Sequence, residues 1–410
     1  MNILYLEHYA GSPEMGMEFR PYYFAREWVK IGYNVRIVAG DYSHLRIKNP
    51  EVTHDYQTDV IDGISYTWIK TGTYQGNGIA RAKTMFRFVG KLLRDAKQIA
   101  EKWQPDVVIA SSTYPLDTYA AQKIAKYSGA MIIHEIHDMW PVTLIERGMS
   151  KYDPFVVMMQ RAENSFCRHS DYVVSLPVAA KSYLMEHGMA PEKFVPIQNG
   201  VVEEEWNNPQ PLAPDIKANI RKFRNNTGFL ICFFGSHTTS YAIDYLIKAV
   251  QSLKSPKVGV IFIGNGDAKE DLVRLSEQEM STNFLFLDPI PKTMIPSALS
   301  EMDALYVGAR HYKLFRFGIA MNKLFDSMMS GKPILYAVNA PNNMIVEYNC
   351  GVSVEPENVE ALKECIEKML NMSQEERKAM GERGHQAIID HYTYPKLAEQ
   401  FAQLFQEKKK

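Results

Sequence analysis

A lysine and an aspartate, Lys323 and Asp326, stand three residues apart in the stretch from Phe315 to Pro333. This spacing places both side chains on one face of a helix. Gly318 precedes the pair and Gly331-Lys332-Pro333 follows it, which predicts a loop that opens a helix. A helix N-terminus carries unpaired N–H groups and a partial positive charge, and therefore suits a phosphate group. The stretch could bind a diphosphate through the lysine and a sugar hydroxyl through the aspartate.

The same residues are also typical of an ordinary amphipathic helix. Leu324, Phe325, Met328 and Met329 recur at helical spacing and would form a side that faces a core. On this stretch alone both interpretations remain open, and the rest of the chain has to distinguish them.

Metal ligands do not form a familiar pattern in this sequence. No two aspartates are separated by a single residue, so the Asp-x-Asp arrangement that can hold Mg²⁺ on a diphosphate is missing. His134 and His137 are three residues apart across a strand end, whereas the zinc motif HExxH needs its histidines four apart on a helix. We therefore expect no metal and no other cofactor, and we expect protein cations to neutralise a diphosphate. Arg310, Arg316 and Lys323 are the candidates.

A second group of polar residues, IHEIHDMWP from Ile133 to Pro141, ends a predicted strand. Alternation along an extended chain turns His134 and His137 to opposite sides, so at most one of them faces a ligand. His137 and Asp138 lie nearest the loop, where catalytic residues concentrate, and are the better candidates. The alternative is a histidine with a structural role only.

Length and composition indicate an ordinary globular protein. A chain of 410 residues is about twice a typical domain, so two domains are expected. With 46% hydrophobic residues and a net charge of -1, it offers a large core and no sign of nucleic-acid binding. Its 4 cysteines form no CxxC, which argues against a zinc site or a disulfide framework and fits a reducing cytosol. With no signal peptide and no long apolar run evident, we expect a cytoplasmic protein.

Buried apolar runs predict a doubly wound sheet in each half of the chain. The first half opens with a strand from Ile3 to Leu6, a helix from Phe19 to Lys30 and a strand from Val35 to Ala39. Its later strands are predicted at Val107 to Ala110, Met131 to Ile136 and Tyr172 to Leu176. A linker with a short helix is expected from Glu203 to Asn226, after the motif VPIQNGV at 195 to 201.

The second half repeats the alternation of strands and helices. Strands are predicted at Phe229 to Phe234, Val258 to Ile263, Asn283 to Leu287, Ala304 to Val307 and Pro333 to Ala337, with a helix from Tyr241 to Leu253. The tail from Val359 is helical apart from a break at 392 to 395. We therefore predict an α/β fold of two Rossmann-like domains facing across a cleft, which suits a reaction of two substrates. The domains are residues 1–200, completed by a C-terminal helix at 393–410, and residues 201–392.

A helix predicted from Ile79 to Trp103 carries a basic face. Its cations are Lys83, Arg87, Lys91, Arg94, Lys97 and Lys102. Such a helix can lie on anionic lipid. The alternative is a solvated face over an ordinary core helix.

Six motifs occur in an order that resembles one family. They are HDMWP, VPIQNGV, FFGSHTTSYAIDYLIKA, FIGNGD, NFLFLDPIPKTMIPSALSEMDALYVG and NKLFDSMMSGKPIL. The chain resembles the family 4 retaining glycosyltransferases of the GT-B fold over essentially its whole length. It is nearest to the bacterial branch of O-antigen, capsule and exopolysaccharide transferases that includes L-fucosamine transferases.

The resemblance implies roles for residues that match the family motifs. The loop from Gly11 to Gly16 would flank acceptor and donor phosphate, the backbone from Leu287 to Ile290 would hold the base, and Asp326 would bind ribose hydroxyls. His137 and Asp138 would face the donor sugar and are the predicted catalytic residues. The predicted donor-binding residues are Gly16, Asn199, Gly235, Leu287, Ile290, Arg316, Asn322, Lys323 and Asp326.

The sequence departs from the family pattern at three positions. Gly318 stands where the family has the first glutamate of a paired motif. Ser236 and Tyr241 stand where many members have an arginine and a lysine for the diphosphate. We expect Lys323 to replace these missing cations.

The resemblance implies transfer of a sugar from a nucleotide donor, expected to be UDP-linked, in bacterial surface polysaccharide synthesis. The sugar would be an N-acetylated or deoxy hexose, and the acceptor a lipid-linked molecule or an oligosaccharide. The place of action would be the cytoplasm, or the cytoplasmic face of the inner membrane if the basic helix contacts lipid. Two alternatives are a UDP-N-acetylhexosamine 2-epimerase and a non-catalytic nucleotide-sugar-binding partner of a transferase assembly.

Overall fold

The chain divides into two compact units. The computed structural model describes residues 1–16, 19–76 and 78–406, apart from the side chains of Phe19 and Ser281. The N-terminal unit comprises Met1–Gln198, Phe317–Ile319 and the segment from Tyr394 onward, and the C-terminal unit comprises Asn199–Arg316 and Ala320–Thr393. The end of the helix predicted at 393–410, from residue 407, lies outside the described residues.

The N-terminal unit is built on one sheet of eight strands. These are β1 (Asn2–Leu6), β2 (Asn34–Gly40), β3 (Gln57–Ile61), β4 (Ile64–Ile69), β5 (Val107–Ala110), β6 (Met131–Ile136), β7 (Tyr172–Ser175) and β8 (Phe194–Pro196). Their order is β3-β4-β2-β1-β5-β6-β7-β8, and only β3 runs antiparallel to its neighbour. Because β1, β5 and β6 are neighbours, the residues that follow them meet at one edge of the sheet.

Helices cover this sheet, so its central strands are apolar along their whole length. The helices are α1 (Phe19–Lys30), α2 (Ile79–Arg94), α3 (Ala96–Trp103), α4 (Asp117–Ser128), α5 (Val142–Glu146), α6 (Pro154–His169) and α7 (Lys181–Glu186). One buried cluster joins Leu4 of β1, Val38 of β2 and Val108 of β5 to Phe88 of α2 and Ile124 of α4.

The C-terminal unit is built on a second, six-stranded sheet. Its strands are β9 (Phe229–Phe234), β10 (Val258–Ile263), β11 (Phe284–Leu287), β12 (Ala304–Gly308), β13 (Ile334–Ala337) and β14 (Gly351–Ser353). The order is β11-β10-β9-β12-β13-β14, and all pairings are parallel. Alternate residues of the central β9 enter two different cores, Ile231 and Phe233 on one face and Leu230, Cys232 and Phe234 on the other.

Nine helices of the described chain surround this second sheet or lead to it. They are α8 (Glu203–Asn207), α9 (Pro214–Thr227), α10 (Ile243–Leu253), α11 (Lys269–Ser276), α12 (Ile295–Ser300), α13 (Asn322–Met329), α14 (Met344–Glu347), α15 (Val359–Asn371) and α16 (Gln374–His391). The next helix, α17 (Tyr394–Gln406), belongs to the N-terminal unit. There Trp28 Nε1 donates a hydrogen bond of 3.0 Å to the carbonyl oxygen of Ala398.

The predicted α/β class with two doubly wound sheets is confirmed, but the structure differs from the sequence prediction at three places. The hairpin of β3 and β4 was not predicted, because β3 is largely exposed and carries no buried apolar run. The helix predicted from Ile79 to Trp103 is two helices, because Asp95 ends α2 and binds the Tyr56 hydroxyl at 2.6 Å. The linker predicted from Glu203 to Asn226 contains α9, which buries Ile220 and Phe223.

A close contact between α16 and the end of α13 gives a test of this packing. A Cβ atom on Gly381 would lie 1.9 Å from the Gly331 carbonyl oxygen, whereas a Cβ atom on Gly90 in α2 would meet nothing within 4 Å. We expect Gly381→Ala to lower the free energy of unfolding by roughly 2 kcal/mol or more. Gly90→Ala, the matched control, should raise the free energy of unfolding by about 0.5–1 kcal/mol, because alanine loses less backbone entropy than glycine at an exposed position of a helix. Urea unfolding measures both, and equal effects of the two changes would contradict the contact.

Candidate functional site

Helix α13 presents two faces, as both interpretations of its sequence require. Leu324, Phe325 and Met328 are fully buried and fix the helix against the core of the C-terminal unit. Lys323 and Asp326 are only partly buried as residues. The packing of the apolar face therefore determines where the two charged side chains point.

The amine of Lys323 is buried without a hydrogen-bond acceptor among the described residues. Its Nζ lies 3.2 Å from the centre of the Tyr241 ring and 4.2 Å from that of Phe233. Ring faces stabilise a cation, but less than an anionic partner would. Burial lowers the pKa of Lys323 to about 7. The amine is therefore placed to gain a proton and a partner when an anion binds.

Three glycines at the ends of β9 and β10 bring backbone close to this amine. A Cβ atom on Gly235, whose φ is +117°, would lie 3.1 Å from Lys323 Nζ. A Cβ atom on Gly264 would lie 2.0 Å from the Gly235 carbonyl oxygen, and one on Gly266 would lie 2.3 Å from that of His237. Backbone contacts exclude a side chain at Gly264 and Gly266, and the positive φ of Gly235 disfavours one there, so the two loops pack closely together with Gly235 next to the lysine.

His237 is a candidate that the sequence prediction did not include. Its side chain is fully buried, and neither ring nitrogen has a hydrogen-bond partner in the described part of the chain. Burial, with Lys269 and Lys323 nearby, lowers the pKa of His237 to about 4. A signal for this residue was present in the sequence, since it follows Gly235-Ser236 directly after a predicted strand.

Asp326 lines a small pocket between α13, α12 and α8. The other lining residues are Glu205, Trp206, Lys292, Ile295 and Pro296. Burial raises the pKa of Asp326 to about 6, while Lys292 lowers it and Glu205 raises it. The carboxylate is therefore ionised at neutral pH and can accept hydrogen bonds from hydroxyl groups.

Four further predicted donor-binding residues surround α13 or end a strand in the same unit. Asn199 donates a hydrogen bond of 2.7 Å from Nδ2 to the Ala320 carbonyl, and so holds the loop ahead of the helix. Asn322 is exposed in the first turn of α13. Leu287 ends β11, and its carbonyl accepts the Gly264 N–H at 3.1 Å. Ile290 packs against the core beside α12.

The two arginines considered as additional cations differ in their surroundings. Arg310 is held by Asp244 at 2.9 Å and Glu357 at 2.8 Å, so its charge is already balanced. Arg316 is exposed and donates to the Lys313 carbonyl at 2.5 Å. Lys323 is the buried cation of this group.

In the N-terminal unit, His137 directly follows β6 and contacts the end of β5. Its Nε2 lies 2.8 Å from Ser111 Oγ and 3.4 Å from Glu135 Oε2. Asp138 is exposed beside it. His134 is turned away and stacks on Phe166 with ring centres 3.8 Å apart, so its role is structural.

Gly16 ends the first glycine loop of the same unit. Its φ is +76°, and its N–H donates to the Ser12 carbonyl at 3.1 Å. The two residues that follow lie outside the described part of the chain. Across residues 1–16, 19–76 and 78–406, no cluster of three or more His, Cys, Asp or Glu side chains could hold a metal ion.

Comparisons with known proteins agree on one class. Residues 15–205 match the model of Glycosyltransferase Family 4, and residues 215–387 match that of Glycosyl transferases group 1. A relative from Pseudomonas aeruginosa, "Probable glycosyltransferase WbjE", is 24% identical over 307 residues, which are 72% of each chain.

Three solved structures share the fold at low sequence identity. Sucrose-phosphate synthase from Thermosynechococcus elongatus has a TM-score of 0.73 at 14% identity, covering 100% of this chain and 99% of that one. Anabaena HepE in complex with UDP has a TM-score of 0.66 at 14% identity, covering 98% and 99%. WaaG, a glycosyltransferase involved in lipopolysaccharide biosynthesis, has a TM-score of 0.66 at 15% identity, covering 99% and 100%. Since glycosyltransferase models match both halves of the chain and its fold is shared with solved glycosyltransferases, the protein belongs to the family 4 glycosyltransferases of the GT-B fold.

Proposed function

We propose that the protein is a retaining glycosyltransferase whose C-terminal unit binds a nucleoside diphosphate sugar without a metal ion. The observation that carries this proposal is the buried amine of Lys323 beside the backbone of Gly235, with no acceptor of its own among the described residues. A diphosphate supplies the missing acceptor, and the neighbouring backbone allows its close approach.

The proposed nucleotide and the proposed pathway are supported by proteins of similar structure. HepE has been solved with UDP and with UDP-glucose, which supports a UDP-linked donor here. WaaG acts in lipopolysaccharide biosynthesis, which supports a lipid-linked or oligosaccharide acceptor in surface polysaccharide synthesis, such as O-antigen or capsule. An N-acetylated or deoxy hexose as the transferred sugar follows from the resemblance to the branch that includes L-fucosamine transferases.

The proposed chemistry needs no dedicated base. In transfer with retention, a leaving diphosphate oxygen can accept the proton of the attacking hydroxyl on the same face of the sugar. The protein then has to stabilise the charge that develops on the diphosphate, which a protonated Lys323 in a water-poor site does well. His137 and Asp138 would contact the sugar in this scheme.

A membrane surface is not part of the proposal. Within the basic face predicted from Ile79 to Trp103, Lys91 binds Asp55 at 2.6 Å and Arg94 binds Asp95 at 2.7 Å. These pairs reduce the charge available to anionic lipid. Among the helices described, none combines the length and the apolar character needed to cross a bilayer.

A panel of nucleotide sugars tests the function. Incubated with EDTA and a mixture of lipid-linked and oligosaccharide acceptors, the protein should release nucleoside diphosphate from one or a few UDP-sugars. The anomeric configuration of the product, read by NMR, should equal that of the donor. An epimerised donor would support the epimerase instead, binding without turnover would support a non-catalytic partner, and dependence on added metal would contradict the proposed site.

The pH dependence of donor binding tests the role of Lys323. With a pKa of about 7 in the free protein, the amine is already charged below that pH, and affinity should not change there. Above it, binding must take up a proton, so affinity for a UDP-sugar should fall by up to about tenfold per pH unit. Lys323→Met should weaken binding by roughly 1.5–3 kcal/mol and abolish this slope.

Isothermal titration from pH 6 to 9 measures this slope, because the diphosphate of a UDP-sugar does not itself titrate there. The matched control is Lys269→Met, which removes a nearby lysine that is paired with Asp288 at 2.9 Å. This control should retain the slope. An unchanged slope in Lys323→Met would rule out the lysine as the diphosphate ligand.

Comparison of UDP with 2′-deoxy-UDP tests the role of Asp326. If the carboxylate accepts hydrogen bonds from ribose, the wild-type protein should prefer UDP by about 1–2 kcal/mol. Asp326→Ala should bind both nucleotides with nearly equal affinity, whereas Glu205→Ala, which removes the other carboxylate of the pocket, should keep the preference. A preference that survives in Asp326→Ala would place the ribose elsewhere.

A further inference from the structure

A chain of buried polar groups in the N-terminal unit ends at His137. Arg20 Nε donates to Glu135 Oε1 at 3.0 Å, and Ser111 Oγ donates to Glu135 Oε2 at 2.6 Å. Ser111 Oγ then lies 2.8 Å from His137 Nε2. Glu135 and Ser111 are fully buried, and Arg20 is 5% exposed, so water does not compete for these contacts.

Glu135 can only accept hydrogen bonds in this arrangement. Burial by itself would raise the pKa of Glu135, but Arg20, His137 and Ser111 together hold it well below its usual range. The Tyr5 hydroxyl also donates to Oε2. An ionised carboxylate has no proton to give, so each of these neighbours must be the donor.

The direction of the last hydrogen bond follows from counting protons. A serine hydroxyl carries one hydrogen, and that of Ser111 is committed to Glu135. Its oxygen can therefore only accept from His137, whose Nε2 must carry the proton. In a neutral imidazole the other nitrogen, Nδ1, then holds a lone pair. Among the residues that the structure describes, no hydrogen-bond donor reaches Nδ1.

We propose that Ser111 and Glu135 are positioning residues, which hold His137 in the Nε2–H form so that Nδ1 accepts a hydrogen bond from a sugar hydroxyl. This inference rests on the proposed glycosyltransferase function. His137 lines a pocket with Asp138, Tyr114 and Trp140, a mixture of carboxylate and aromatic groups of the kind that binds sugars. A fixed acceptor distinguishes a hydroxyl from a hydrogen or an ether at the same position, because neither of those can donate.

The tautomer can be read without any enzymatic assay. In protein labelled with ¹⁵N-histidine at about pH 8, the His137 signals, assigned with a His137→Gln variant, should show a protonated Nε2 and an unprotonated Nδ1. In Glu135→Gln the side-chain amide would donate to Ser111, and the serine would then donate to the histidine. The variant should therefore show the opposite form, with the proton on Nδ1. A wild-type His137 with its proton on Nδ1 would overturn the proposal.

Kinetics with the donor that the panel identifies give the second measurement. Ser111→Ala should lower kcat by about tenfold or more while KM for the donor changes little, because the serine acts on the sugar only through His137 and has no role at the diphosphate. The matched control is Ser175→Ala, which removes an equally buried serine hydroxyl at the end of β7 that donates to the Pro177 carbonyl at 2.9 Å. Its kcat should stay at the wild-type value.

The outcomes separate the two proposals. Turnover in the wild type with an unchanged kcat in Ser111→Ala would overturn the positioning role and leave the proposed function intact. No turnover with any donor would refute the proposed function, while the ¹⁵N spectrum would still decide the tautomer. If Glu135→Gln does not fold because Arg20 loses its partner, the wild-type spectrum and Ser111→Ala decide the question.

Discussion

The cost of burying the Lys323 amine constrains the construction of the C-terminal unit. A buried amine without an acceptor is unfavourable, and here two aromatic rings, Tyr241 and Phe233, offset part of that cost. The helix that carries the lysine cannot turn it outward, because the opposite face is packed into the core. Gly381 of α16 also fits against the end of this helix. The surrounding structure thus keeps the Lys323 amine in an unfavourable environment, and ionisable groups in such environments are common at binding sites.

The sequence predicted the strands whose residues are apolar because both of their faces are buried. Central strands such as β9 and β10 are covered on both faces and therefore consist of apolar runs. Such a run can be recognised in the sequence without knowing which strands lie beside it. The hairpin of β3 and β4 lies at the edge, where β3 carries exposed polar residues, and it gave no such run. The break at Asp95 depends on its contact with Tyr56, which is distant in sequence and was invisible until the chain was folded.

The site was predictable to the extent that local chemistry marked it. Lys323 and Asp326 were visible because a cation and a carboxylate at helical spacing follow a glycine turn. The partners of His137 were not, because Ser111 and Glu135 become its neighbours only through the order of β5 and β6 in the sheet. Arg20 is 115 residues away from Glu135 along the chain. Such a network depends on topology, and no single motif could have revealed it.

The glycines after β9 and β10 divide the donor site into a part that cannot vary and a part that can. At Gly264 and Gly266 the approach of backbone to backbone leaves no room for a side chain, and at Gly235 a φ of +117° disfavours one. Under the proposed function, those loops would contact the diphosphate, which all nucleoside diphosphates share. Under the same proposal, variation in the donor site would fall on side chains elsewhere, such as those that line the pocket with Asp326 and Trp206. Attempts to alter donor choice by engineering would begin in that pocket.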